Sequence, residues 1–234
     1  MLETNNITKK YLTKVAVDDI SMKLEKGHIY AILGPNGSGK TTWMKMVAGL
    51  VKPTTGLIKI DGKDIGVDTR NEIAYMPTEP FMYEWMTIKD IGKYYQDFFK
   101  DFSMERYENL ITDMDLNMTL KLKTLSSGMM AKLKIAATMA RQAKVYLLDE
   151  PLNGIDLLAR DQVMKAIVTY ADEDNTLVIS SHLVEELEMV ADTAVFFSKA
   201  KLVGFYDLDN MRMEEGISVA DKYREIYGKM SKEA

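Results

Sequence analysis

Residues Gly34–Thr41 read GPNGSGKT, directly after the apolar run Ile29–Leu33 and at the start of a helix predicted from Lys40 to Gly49, with Pro53 beyond its end. A glycine-rich turn that leaves a buried strand and opens a helix permits few folds. The strand must lie inside a sheet, the helix must cross back over it, and the turn must stand at the sheet's carboxyl edge. There the turn gathers backbone N–H groups and a helix N-terminus, which together make an anion site. Gly34, Gly37 and Gly39 let phosphate oxygens approach the main chain, and Asn36 and Ser38 complete the loop. Lys40 adds a point charge for the β- and γ-phosphates, Thr41 a hydroxyl for Mg²⁺, and Thr42 a further donor. The loop predicts a nucleoside triphosphate site.

The rest of the chain supplies neighbours for that strand. Leu2–Thr8 and Val15–Leu24 read as strands, the second alternating apolar and polar residues, and Leu57–Ile60 closes on the turn Asp61-Gly62. From Thr87 the apolar period lengthens to three and four. Thr87 and Asp90 form a capping box, and Ile88, Ile91, Tyr94, Tyr95, Phe98 and Phe99 share one predicted helix face. Met104–Met114 gives a second helix, and a third begins after Ser126. Residues 87–142 therefore read as a helical lobe inserted into an α/β core. Beyond it, strands Val145–Leu148, Leu177–Ser180, Thr193–Phe197 and Leu202–Tyr206 alternate with helices Asp156–Tyr170 and Leu183–Val190. That alternation predicts a mostly parallel sheet with helical crossovers. Residues 207–234 are charged and weakly periodic, and are expected to form a solvated tail.

A second chemical signal is VYLLDE, Val145–Glu150. It delivers two carboxylates at the carboxyl end of a buried strand, where open α/β sheets bind ligands. Asp149 suits the Mg²⁺ shell and Glu150 suits polarising a water for attack on phosphorus. Bulk composition narrows the partners. A net charge of −5 argues against a nucleic-acid binder working through bulk charge, and the absence of cysteine excludes disulfides and thiolate metal sites. No run of about 18 apolar residues occurs, so a path across a bilayer would need another polypeptide.

The order of these and three further motifs resembles the ATP-binding subunits of ABC transporters. LSSGM at Leu125–Met129 resembles the family signature, PLNGID at 151–156 its D-loop with Asp156, and SSHLVEELE at 180–188 its switch region with His182. Tyr11 lies where the family stacks an aromatic on adenine. The likeness runs from about Leu2 to Tyr206, so residues 1–206 are expected to form one nucleotide-binding domain. It implies an α/β fold of the P-loop NTPase type, with a mostly parallel core sheet, an N-terminal antiparallel β subdomain and the inserted helical lobe. It implies ATP and Mg²⁺ as occupants, and Glu150 and His182 at the attacking water. It also implies a second ATPase subunit, as a homodimer packed head to tail, so that Ser126, Ser127 and Gly128 reach the γ-phosphate of the other copy's ATP. Integral membrane transporter subunits are the other implied partner, nucleic acid is not, and the implied location is cytoplasmic, peripheral on the inner face of the membrane.

Two positions depart from the family pattern. Ser127 and Met129 stand where the usual LSGGQ has a glycine and its glutamine, while Ser126 and Gly128 keep the hydroxyl and the tight turn. The Q-loop glutamine falls at Thr78, followed by Glu79. Either Glu79 senses Mg²⁺ or the attacking water, or Glu79 is solvated and Thr78 contacts the nucleotide through water. The cluster Phe81, Met82, Tyr83, Trp85 and Met86 reads equally as lobe core or as a groove for a helix of the membrane subunit. Compact length and the LSSGM-type signature resemble exporters of peptides, antibiotics or lipids. The competing reading is a soluble ABC ATPase that moves no solute, for example of the iron–sulfur assembly type.

Overall fold

Val145–Asp149 has no residue facing water, and a strand buried on both faces needs a layer on each side. The computed structural model describes residues 1–79 and 81–230, so the last residues of the expected tail, 231–234, lie outside the described residues. The chain opens with strands β1 (Leu2–Tyr11), β2 (Lys14–Leu24) and β3 (His28–Leu33), then helix α1 (Lys40–Val47). Strands β4 (Thr55–Ile60) and β5 (Lys63–Asp64), a short helix α2 (Val67–Arg70) and strand β6 (Ile73–Met76) follow. The lobe contains α3 (Ile88–Phe98), α4 (Met104–Asp113) and α5 (Ser127–Met139). Next come β7 (Val145–Asp149), α6 (Leu157–Tyr170), β8 (Thr176–Ser181), α7 (Val184–Glu188), β9 (Thr193–Ser198) and β10 (Lys201–Asp207). A short helix α8 (Leu208–Asn210), a π-helical turn Met211–Glu215 and α9 (Val219–Met230) complete the described chain.

Strands β2-β1-β4-β5 form an antiparallel sheet, and β10-β9-β3-β8-β7-β6 form the central one. In the central sheet only the edge strand β10 runs antiparallel, to β9. Alternate residues of each strand serve opposite layers. Val145 and Leu147 of β7 join Trp43 and Val47 of α1 in one core, while Tyr146 and Leu148 join Ile135, Val163 and Ile167 in the other. The carboxyl ends of β3 and β7 are thereby fixed on one edge of the sheet, with β8 between them.

Thr87 caps α3 as expected, accepting from the amide of Asp90 at 3.1 Å, while the Asp90 carboxylate accepts from the Thr87 amide at 2.9 Å. The helix face is narrower than its aromatic spacing suggests. Ile88, Ile91 and Tyr95 point inward, but Tyr94 is exposed and Phe98 is 67% exposed. The reason is Gly92, where an added Cβ would come within 2.6 Å of the Tyr107 ring of α4. That close approach turns the 88/91/92/95 stripe to the lobe interior and leaves the Tyr94 and Phe98 rings in tilted contact, centroids 4.6 Å apart, on the outside.

The expected solvated tail is corrected. Leu208, Met211 and Val219 are buried, and Tyr223, Ile226 and Tyr227 pack on the core beside Phe196. Val219, Tyr223, Ile226 and Tyr227 recur at helical spacing, but the charged residues between them hide the stripe from a composition reading. The Tyr227 hydroxyl lies 2.8 Å from the Phe197 carbonyl and 3.3 Å from the Leu33 carbonyl, so α9 is bonded to the strand end from which the phosphate loop departs. Tyr227→Phe should lower unfolding free energy by about 1 kcal/mol through the lost hydrogen bond. Tyr227→Ala should cost about 2–3 kcal/mol, below the range for a fully buried aromatic because the ring is half-buried. Urea unfolding measures both, and wild-type stability in both variants would contradict the docking of α9.

Candidate functional site

Two glycines of the phosphate loop, Gly34 and Gly39, have no room for a side chain. At Gly34, with φ +152°, a Cβ would lie 2.3 Å from the Phe197 carbonyl oxygen; at Gly39, with φ +111°, it would lie 2.5 Å from that of Ala16. The loop is therefore pressed against β9 and β2, and its shape exists before any ligand arrives. Lys40 is 6% exposed, and its ammonium donates to the Gly34 carbonyl at 2.7 Å. Burial pushes its pKa below the usual lysine value, while Glu150, 3.7 Å away, and Asp149 pull it back.

Asp149 is fully buried, yet its carboxylate accepts three hydroxyls from three elements. Ser180 of β8 donates to Oδ1 at 2.7 Å, Thr41 of α1 to the same oxygen at 3.1 Å, and Tyr75 of β6 to Oδ2 at 3.4 Å. Burial and Asp149 both push the Tyr75 phenol upward in pKa, so it remains a donor. Glu150 follows in the left-handed region, φ +50°, which is strained for a residue with a side chain. Its amide bonds both the carbonyl and the hydroxyl of Ser180, and its carboxylate meets Nδ1 of His182 at 2.9 Å.

Of the expected site residues, Asn36, Gly37, Ser38, Gly39, Lys40, Thr41, Thr42, Thr78, Glu150 and His182 line one cavity of about 580 Å³. Gly34 and Asp149 stand beneath its wall, bonded to Lys40 and Thr41. Thr78 is tied in by its hydroxyl, which donates to the Asp149 carbonyl at 3.3 Å. Glu79 does not line this cavity. Its carboxylate is 60% exposed and pairs with Lys45 at 2.8 Å, which also holds it below the usual carboxylate pKa. Tyr11 also stands off the cavity, at the end of β1 with the Lys9 ammonium 4.9 Å from its ring centroid. Ser126 and Ser127 open onto a second cavity of about 460 Å³, which shares Thr78, Glu150 and Asn153 with the first. Ser126 caps α5 by accepting from the Met129 amide, and Asp156 caps α6 by accepting from that of Ala159. Gly128 packs against the α6 start, where a Cβ would sit 3.6 Å from that of Ala159.

Ser180 and Tyr75 escaped the sequence reading, although Ser180 lies within the segment SSHLVEELE. Their signal is positional: each stands on a strand flanking β7, so each meets Asp149 only once the strand order is known. Asn153, which lies between the two cavities, had a local signal in PLNGID. Removing Ser180's hydroxyl takes a donor from a buried carboxylate and a partner from the Glu150 amide. Ser180→Ala should therefore cost about 1–3 kcal/mol of stability in the nucleotide-free protein. Chemical denaturation measures it, and an unchanged midpoint would mean that Asp149 does not depend on this bond.

Residues 17–153, more than half of the chain, match the family described as ABC transporter. The uncharacterized ABC transporter ATP-binding protein YcbN of Bacillus subtilis is 34% identical over 218 residues, covering 91% of this chain and 71% of YcbN. The lantibiotic transport ATP-binding protein SrtF of Streptococcus pyogenes is 31% identical, covering 87% of this chain and 89% of SrtF. Among solved structures, the dimeric post-hydrolysis state of the ATP-binding cassette MJ0796 bound to ADP and Pi shares the fold, with a TM-score of 0.80 at 20% identity over 89% of this chain and 99% of that one. This chain therefore belongs to the ABC transporter family, as one of its ATP-hydrolysing subunits.

Proposed function

We propose that two copies of this protein bind Mg-ATP between them, head to tail, and that closure and hydrolysis power the export of peptides, antibiotics or lipids through separate membrane subunits. One observation carries the shared site. Ser126 and Ser127 line the adjoining cavity and not the phosphate-loop cavity, so donors suited to a γ-phosphate are absent from the lining of the cavity that would hold this chain's own ATP. A second copy, inverted, supplies them. The α5 N-terminus adds its positive dipole end to that contact.

The chain's own residues account for binding and for the attacking water. Lys40, already buried over the loop, exchanges its Gly34 carbonyl for phosphate oxygens. Thr41 and Asp149 are hard oxygen donors, and a buried carboxylate bonded, among the described residues, by neutral hydroxyls suits Mg²⁺, which takes few protein ligands and keeps phosphate and water as the rest. When bound, that ion neutralises phosphate charge. Glu150 orients a water and takes its proton, and His182, at 2.9 Å, keeps the carboxylate aimed into the cavity.

The exporter reading is supported by SrtF, a lantibiotic transport protein of similar length. No helix among the described residues is long and apolar enough to cross a membrane, so the path is assigned to other subunits at the inner face of the membrane. Their dock is the aromatic surface of the lobe. Met86 is buried, but Tyr83 and Trp85 stack at 5.9 Å with Trp85 68% exposed, close in sequence to the exposed Tyr94 and Phe98.

Lys40→Ala should abolish ATP binding and turnover; ordinary turnover in that variant would defeat the assignment of the loop. Glu150→Gln should still bind ATP but hydrolyse it about 10²–10⁴-fold more slowly. A dimer should then accumulate in Mg-ATP, read by light scattering with the membrane subunits present. Persistent monomer at saturating Mg-ATP would count against a shared site.

A further inference from the structure

Lys134 lies on α5, the helix that begins with Ser127, and on the wall of the second cavity. Its ammonium donates to the carbonyl of Thr78 at 3.0 Å and stands 5.6 Å from the centroid of the Phe81 ring. Thr78 in turn bonds the Asp149 carbonyl through its hydroxyl, and Glu79 is held by Lys45 of α1. The segment leading from β6 to the lobe is thus bonded twice to the α/β core and, through Lys134, to the helix that carries the signature.

That cation is placed at a cost. Burial pushes its pKa below the usual lysine value, and the carboxylates of Glu79 and Asp149 oppose the shift. Met76, Met82 and Met130 share the cavity wall with it, beside the polar Thr78, Glu84 and Glu150. An ammonium kept at such a position is explained by what it holds. Thr78 reaches the core through its hydroxyl on the Asp149 carbonyl, and Lys134 bonds the peptide of the same residue from the lobe side.

We propose that Lys134 is a positioning residue that hangs the Thr78 peptide on α5, so that movement of Thr78 relative to Asp149 is passed to the helix bearing Ser126. The ATP-site reading of Thr41, Asp149 and Glu150 underlies this proposal. Loss of the ammonium frees the loop from the lobe without touching the phosphate loop, so it alters turnover rather than nucleotide affinity. Lys134→Arg retains a charged donor and retains most of the coupling.

Hydrogen exchange of the nucleotide-free full chain, together with steady-state ATPase kinetics, tests this. In Lys134→Met, amides within 76–84 should exchange about tenfold faster, the size expected for one hydrogen bond to a charged group. In the same variant kcat should fall about tenfold, with KM for ATP within about twofold, the pattern of an interaction that matters after binding. Lys134→Arg should stay within about threefold of wild type in both readouts. If Lys134→Met does not fold, Lys134→Gln should change both in the same direction. Wild-type exchange and kcat in whichever uncharged variant folds would overturn the proposal. The two failures are distinguishable: Lys40→Ala binding ATP normally would defeat the ATP-site reading, while the exchange result still reports on the Lys134–Thr78 bond.

Discussion

A carboxylate with no solvent contact is expensive, and Asp149 is one. Its direct donors are neutral hydroxyls, so the sheet must bring Thr41, Ser180 and Tyr75 to the same point. This requirement depends on strand order. Ser180 reaches Asp149 because β8 pairs with β7 in the register that sets those two residues opposite each other, and Tyr75 because β6 covers the other side. Thr41 arrives from β3 by way of the phosphate loop, 108 residues away in sequence. A carboxylate satisfied in this manner by neutral donors keeps its charge beside the phosphate loop.

The same strand end joins the two halves of the molecule. Asp149's carbonyl takes the Thr78 hydroxyl, and Glu150, forced into a left-handed backbone, turns its carboxylate to His182 and toward Lys40. Thr78, Glu150 and Asn153 border both cavities, so the phosphate loop and the signature helix meet across three residues rather than across a domain boundary. On the far side, Tyr227 bonds the strand ends before the loop, and Arg212 bonds the carbonyl end of α7. The carboxyl-terminal segment thus braces both the loop and the helix that follows His182.

Much of this was legible in the sequence because the chemistry is local. GPNGSGKT and VYLLDE are contiguous, and a buried strand before each tells where its polar end must lie. The lobe was legible through the Thr87 capping box and the apolar period. What escaped depends on contacts between distant elements. Tyr94 and Phe98 share the spacing of Ile91, but Gly92 against Tyr107 rotates them outward. The α9 stripe is interrupted by charges and becomes apolar only when docked on Phe196. Glu79 and Thr78 offered equal chemistry in sequence, and Lys45, one turn along α1 from Thr41, draws the carboxylate away from the cavity.

Mixing two inactive variants tests the composite site most directly. Lys40→Ala lacks the phosphate-loop cation but keeps the signature, and Ser126→Arg blocks the signature but keeps the loop. If ATP is bound between copies, the mixed dimer contains one intact site, and an equal mixture should recover about a quarter of wild-type turnover by random two-fold pairing. If each chain completes its own site, the mixture will be as inactive as its components, and the shared-site account will be wrong.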